Sequence, residues 1–360
     1  MPCCAGCAGG CSGERAGVTT RAVPPGDISV IVAGTLHPSA PGRPPPDIAA
    51  CLASIARHLP GAETILSTWC GEAVPGLPAA TRLVTQPAPP PLVDANGNRN
   101  NLARQVAAVR LGLAHATRPY VLKLRPDLAL TSARIATLAD SQAARAHPAR
   151  RFAARVTITT LATRDPLRHP MLFHPSDMVQ FGRAEDIRDY WNHPPPPEAW
   201  LRRPAPTRNP LGSVAGYTAL RMVPEQALCL AWLGRHGIDA ALRHPCDGDR
   251  ARFALSEAVL AANFTLLPWD ESGIAFPARF TAARAIAGTL YDAAGIAALE
   301  RTLARPGRLR PWRYLAARYL ALPLRRTWWV STGAMLLYSL HPALAGTAQR
   351  RWRRFTGWSG

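Results

Sequence analysis

Lysine is almost missing from this 360-residue chain: of 42 Lys plus Arg, the single lysine is Lys123. Elsewhere the chain uses arginine wherever a positive charge suffices. A lone ammonium is then either a chance survivor or a site where a compact point charge is wanted over a planar guanidinium. Acidic residues are also few, 23 against the 42 basic ones, and the formal charge is +19. That balance argues against polyanion-like behaviour and for anionic partners such as phosphates, an anionic bilayer or nucleic acid. The 36 Pro and 27 Gly follow no period, which removes collagen-like and solenoid architectures. Residues 1–20 hold no apolar core, so a signal peptide is not expected and the protein reads as cytoplasmic. A second CxxC pair is missing too. Cys4-x-x-Cys7 stands alone among eight cysteines, and one such pair does not make a zinc site.

What is present reads as a globular α/β protein. Hydrophobic residues make up 48% of the chain, enough to fill a sizeable core. Residues 1–26 read as a disordered tail. Ile28, Val30 and Val32 alternate in a first buried strand ending at Gly34. A helix follows over Asp47–Leu59, then strands at Glu63–Trp69 and Arg82–Gln86. Further on, the patterns predict a helix over Thr131–Ala144, a strand over Phe152–Leu161 and a strand entering Gly182. Helices are expected at Arg183–Trp191, Pro224–His236 and Leu255–Ala262, and a short strand at Phe264–Leu267. Strands alternating with helices at this interval imply a mostly parallel sheet flanked by helices. The proline-rich stretch from His193 to Pro210 reads as a surface excursion.

The most informative stretch runs from Asn98 to Leu130. Asn100 and Asn101 can cap a helix whose Leu102, Val106, Val109, Leu113 and Ala116 recur at three- and four-residue steps. After Thr117-Arg118-Pro119 a strand delivers Lys123, Arg125 and Asp127 at its carboxyl end, the edge at which open α/β sheets bind ligands. On the residues alone, Arg104 also fits a surface ion pair, and Asp127 a cap for the next helix.

Four segments together resemble the WavE lipopolysaccharide synthesis family. They are Leu59-Pro-Gly-Ala-Glu-Thr-Ile-Leu-Ser-Thr-Trp, the Asn100–Asp127 unit, Phe173-His-Pro-Ser-Asp and Pro224-Glu-Gln, with Asn263-Phe-Thr-Leu-Leu-Pro beyond them. The resemblance covers about residues 27–276. It implies a GT-A-like glycosyltransferase domain that moves a sugar from a nucleotide-sugar donor to lipopolysaccharide core or a related surface glycan, a lipid-linked acceptor. In that layout Asn101, Arg104 and Gln105 would face the nucleotide and Asp127 would hold Mg²⁺ or Mn²⁺ against the diphosphate; His174, beside Asp177 in the sequence, is a further candidate for binding the nucleotide-sugar. The chain departs from the Asp-x-Asp pattern because Arg125 stands two residues before Asp127. Lys123 and Arg125 are then candidates to replace part of the cation's charge. An inverting transferase needs a base for the acceptor hydroxyl. Asp177 and Glu225 are the candidates, and each also fits a plain capping role.

The last part of the chain, 277–360, reads as a basic, aromatic helical tail. From Arg301 onward there are 12 Arg, no Asp or Glu, and five of the ten Trp. Arg mixed with Trp and Tyr suits an anionic bilayer surface better than nucleic acid, which would place the protein peripherally on the inner face of the inner membrane. The uncharged run 327–349 has the length of a span but contains Ser331, Thr332, His341, Pro342 and Gln349, which favours lying on the membrane over crossing it. The rival readings are a nucleotidyltransferase on a similar sheet and a non-catalytic basic adaptor.

Overall fold

Apolar alternation builds the centre of the molecule. The computed structural model describes residues 18–356 apart from 38–43, 75, 95–98, 195, 203–213, 215–219, 282–287, 306 and 308. In chain order the first elements are β1 (Val18–Ala22), β2 (Ile28–Ala33), α1 (Ile48–His58), β3 (Glu63–Trp69) and β4 (Thr81–Gln86). The next are β5 (Leu92–Val93), β6 (Arg99–Asn100), α2 (Leu102–His115), β7 (Tyr120–Leu124), β8 (Ala129–Leu130), β9 (Thr137–Ser141) and α3 (Gln142–Ala146). Then come β10 (Val156–Thr159), β11 (Gln180–Arg183), α4 (Ala184–Trp191), α5 (Glu198–Leu201), α6 (Pro224–Arg235), α7 (Arg250–Asn263), β12 (Phe264–Leu267) and β13 (Ile274–Ala275). The helices α8 (Ala278–Thr281), α9 (Ala293–Ala304), α10 (Arg310–Ala316), α11 (Arg326–Leu340) and α12 (Pro342–Thr356) complete the chain.

Seven strands form one sheet in the order β12-β10-β11-β7-β2-β3-β4. β2 runs parallel to β3 and β7, β3 to β4 and β10 to β12, while β11 is antiparallel to both of its neighbours. This is the mostly parallel, helix-flanked α/β sheet that the sequence predicts, consistent with a GT-A-like fold. Residues of β2 divide between its faces: Ile28, Val30 and Val32 enter one core, Ile31 and Ala33 the other. Because β10 runs the same way as β7, the loop 160–179 that leaves β10 for β11 lies at the carboxyl edge of β7.

Helix α2 forms as its spacing predicts, burying Leu102, Val106, Val109 and Leu113. Asn100 supplies the cap, its Oδ1 accepting from the Leu102 amide at 2.9 Å, whereas Asn101 makes no side-chain cap bond. Gly112 lets this helix approach β2 closely, for a Cβ there would stand 2.3 Å from Ile31 Cγ2. At α1, Asp47 accepts from the Ala50 amide at 2.9 Å and Ile48, Cys51, Leu52 and Ile55 are buried.

Several expectations are corrected. Thr131–Ala144 is not a helix: Thr137–Ser141 pairs antiparallel with Val18–Ala22 as β9 against β1, and helix begins only at Gln142, behind the Ser141 cap. Pairing with a distant strand overrides the local alanine-rich preference. For the same reason residues 18–26 are not a disordered tail; residues 1–17, with Cys4 and Cys7, lie outside the described residues. The strand expected over Phe152–Leu161 is shorter, Val156–Thr159.

The boundary at 276 is corrected as well. Ile296, Leu299, Leu303 and Tyr314 belong to the same core as α2, α6 and α7. The Tyr314 ring stacks on Phe253 with centroids 4.7 Å apart, Arg310 pairs with the buried Glu257, and Glu300 reaches Arg155, which is 1% exposed. The stretch up to Leu324 is thus part of the domain. Beyond it, the uncharged run breaks at His341–Pro342 into two 15-residue helices. At about 1.5 Å per residue each is too short for a bilayer core, and no helix among the described residues is long and apolar enough to cross a membrane.

Candidate functional site

A cleft of about 680 Å³ opens at the carboxyl ends of β2, β3 and β7. Gly34 and Thr35 leave β2, Trp69, Cys70 and Glu72 end and follow β3, and Lys123 lies near the end of β7 with Arg125 and Asp127 just after it. The first turn of α2 adds Asn101, Arg104 and Gln105, and Arg99 and Arg279 close the rim. Six residues singled out in the sequence, Asn101, Arg104, Gln105, Lys123, Arg125 and Asp127, therefore meet on one lining. Parallel topology brings this about, because each β-to-α crossover returns its loop to the same edge.

The geometry suits an anion with polar appendages. Five cationic side chains, Arg99, Arg104, Lys123, Arg125 and Arg279, share the lining with three carboxylates, Asp47, Glu72 and Asp127. Each carboxylate has other partners. Asp47 caps α1. Glu72 accepts from the Leu36 amide at 2.9 Å and from the Thr35 and Thr68 hydroxyls, tying together the loops after β2 and β3. Asp127 accepts from Arg125 Nε and Nη2, both at 2.9 Å, and from Arg279. Arg104 is steadied by the Pro89 carbonyl, to which its Nε donates at 2.7 Å. Gln105 Oε1 is buried without a hydrogen-bond partner, an acceptor in need of a donor, and the positive end of the α2 dipole faces the same space.

Lys123 is 3% exposed. Its ammonium donates to the Asp177 carbonyl and lies 5.2 Å from the Trp191 ring centroid. Burial, opposed by the Asp177 carboxylate and reinforced by Arg125, pulls its pKa down to about 8. It is still charged at neutral pH and is the cation most easily neutralised above it. Asp127 goes the other way. Burial would raise its pKa, but the hydrogen bonds from Arg125 and the charges of Arg125 and Arg279 hold it below the usual carboxylate range.

His174, Asp177 and Glu225 do not line this cleft. Asp177 is 3% exposed with Oδ2 lacking a partner, and burial raises its pKa. It is thus buried behind the cleft lining, beside Lys123. His174 lines a separate cavity of about 10 Å³ with Arg164 and Tyr291, room for about one water. Burial and Arg164 press its pKa to about 3, so it is neutral, and its 3.8 Å approach to Glu225 is not an ion pair. Glu225, at the first turn of α6, keeps 22% of its side chain exposed. Desolvation raises its pKa against the pull of Arg164, Arg125 and Lys123.

Asp127 does not fit the metal-ligand role. Both of its oxygens are held by guanidiniums, and a divalent cation there would meet two fixed positive charges. Among the described residues no three His, Cys, Asp or Glu side chains come together as a cation site. Sequence reasoning missed Arg279 and Glu72. Arg279 reaches Asp127 across 152 positions of sequence, and no spacing rule connects them; Glu72 follows β3 in a loop with no motif.

No curated protein matches the chain. The family model described as WavE lipopolysaccharide synthesis matches residues 28–323, covering the whole sheet and the helices up to Pro323. The chain belongs to the WavE lipopolysaccharide synthesis family.

Proposed function

We propose that the protein is a glycosyltransferase that binds a nucleotide-sugar in the cleft and passes the sugar to a lipopolysaccharide core or related lipid-linked glycan. The observation that carries this reading is the convergence of five cationic side chains and a helix amino terminus on one 680 Å³ cleft at the carboxyl edge of the sheet. A leaving nucleoside diphosphate gains negative charge as the glycosidic bond breaks, and pre-positioned cations stabilise that change. Arg104 and Arg125 offer planar forks that match phosphate oxygens, Lys123 adds a point charge, and Asn101 and Gln105 supply amides for the sugar or base. Glu225 lies off the cleft lining but within electrostatic reach of its Lys123 and Arg125; it is the candidate base because it is partly exposed and its raised pKa brings it nearer to the working range of a proton acceptor. Asp177 serves instead to hold Lys123 through its carbonyl and its charge.

The acceptor side of the reaction favours a membrane surface. Trp329, Leu324, Leu340 and Phe355 are 63, 87, 72 and 86% exposed on the segment that carries Arg325, Arg326, Arg350, Arg351, Arg353 and Arg354. Exposed apolar and aromatic side chains among arginines match the interface of an anionic bilayer, and binding there raises the effective concentration of a lipid-linked acceptor. This reading predicts co-sedimentation with phosphatidylglycerol-containing vesicles and none with phosphatidylcholine alone.

The test of the activity is a thermal-shift screen of the purified protein against UDP, GDP, CDP and CMP, followed by sugar transfer from the matching donor to deacylated lipopolysaccharide core. A ligand that binds only the native state raises the melting temperature. A shift with one nucleotide, lost in Arg104→Ala, supports the transferase. No shift with any of them, in a folded sample, turns the assignment to a non-catalytic basic adaptor.

A further inference from the structure

Asp127 follows β7 at the carboxyl edge of the sheet, among the cleft's cations, and its surroundings define an unusual use of a carboxylate. A carboxylate offers about four lone-pair positions. Here Arg125 fills two of them with a fork, Nε and Nη2 each at 2.9 Å, and Arg279 takes a third, on the oxygen that Arg125 Nη2 also reaches. The two guanidiniums share a second support, for both lie over the Phe280 ring, with Arg125 Cζ 5.4 Å and Arg279 Cζ 4.5 Å from its centroid. A carboxylate and an aromatic face thus fix two planar cations side by side on the cleft lining, each about a third exposed, while Asp127 itself is 9% exposed.

We propose that Asp127 is a positioning residue that aligns Arg125 and Arg279 on the diphosphate of the nucleotide donor, so that the site binds this group without a divalent cation. The inference rests on the nucleotide-sugar reading and specifies how that site meets its charge requirement. Magnesium demands near-octahedral oxygen ligands at short range; placed on Asp127 it would have to displace a bidentate ion pair. The other carboxylates of the lining are committed, Glu72 to the loops after β2 and β3 and Asp47 to the cap of α1. The charge a metal would bring is already there. Arg125 and Arg279 outnumber the one carboxylate between them, and Lys123 and Arg104 stand on the same lining. A guanidinium has five N–H donors, and the fork to Asp127 uses two of those on Arg125, so pairing with Asp127 orients this cation without exhausting it.

Calorimetric titration of the full-length protein with inorganic pyrophosphate, UDP, GDP and CDP, in EDTA and again in Mg²⁺ or Mn²⁺, tests this directly. Expected is binding of pyrophosphate and of at least one nucleoside diphosphate in EDTA, with a dissociation constant that added metal changes by less than about threefold. Arg279→Ala removes a third-exposed side chain and no core, and should weaken pyrophosphate binding at least about tenfold, the usual scale for a charge-assisted hydrogen bond; Arg279→Lys should recover part of it. Asp127→Asn should weaken binding by less, and equally in EDTA and in Mg²⁺. Tightening of tenfold or more by Mg²⁺ or Mn²⁺, abolished in Asp127→Asn, would overturn the inference and leave the transferase reading standing. Unchanged affinity in Arg279→Ala would overturn it also. Absence of binding in every condition would overturn both.

Discussion

Gly112 sits in the middle of α2, where a glycine ordinarily costs a helix about 1 kcal/mol relative to alanine. Gly112→Ala should therefore stabilise the isolated helix, yet the structure forbids the gain. The new Cβ would stand 2.3 Å from Ile31 Cγ2 and 3.5 Å from Ser67 Cβ, so α2 or β2 must move by more than 1 Å to restore a normal contact near ~3.5 Å. Overpacking of this kind costs about 1–3 kcal/mol. Set against a propensity gain of about 1 kcal/mol, the net destabilisation falls between about 0 and 2 kcal/mol. Gly234→Ala in α6 is the control, because nothing lies within 4 Å of its added Cβ and only the favourable propensity change remains. Urea denaturation of both variants isolates the clash, and Gly112→Ala should lie about 1–3 kcal/mol below Gly234→Ala. The same displacement moves Asn101, Arg104 and Gln105 at the start of the helix, so nucleotide affinity should fall in Gly112→Ala and hold in Gly234→Ala. Equal stability of the two variants would refute the idea that contact between α2 and β2 sets the cleft.

Other outcomes follow from single groups. Lys123 gives up its proton near pH 8 in the folded protein and near 10.5 when unfolded, so stability rises with pH across that window, whereas affinity for a phosphate ligand falls by up to about tenfold per pH unit above 8; Lys123→Met should flatten the affinity profile measured by calorimetry. Arg310→Met leaves Glu257, whose side chain is 4% exposed, without its cation and should cost about 3–5 kcal/mol in urea unfolding, a loss expected only if the helices after residue 276 are part of the domain. Glu225→Gln should lower kcat by about 100-fold or more with little change in nucleotide affinity; an unchanged kcat would remove Glu225 as the base.

Some of this molecule was written locally. Ile28, Val30 and Val32 alternate because a strand has period two, Leu102, Val106, Val109 and Leu113 recur because a helix has period 3.6, and both segments fold as their spacing requires. The strand ending in Lys123, Arg125 and Asp127 was legible for the same reason, and parallel topology then fixed which edge its end would share with Asn101, Arg104 and Gln105. The strand at Thr137–Ser141 was not legible, because its partner Val18–Ala22 lies far away in sequence and its own composition favours a helix. Nor was the place of the chain after residue 276, where arginines and aromatics read as a membrane-surface tail until Arg310 and Glu300 found Glu257 and Arg155.

The sequence by itself determined the sheet, its flanking helices and the residues gathered at its carboxyl edge, since periodicity and crossover geometry are properties of short segments. Tertiary structure alone decided what surrounds those residues. Asp127 is a metal ligand by family resemblance and a helix cap by its local pattern, and in three dimensions it is the acceptor between Arg125 and Arg279. Asp177 reads as a base and is buried. The charge state and access of a side chain depend on neighbours that the chain brings in from afar, and no local pattern records them.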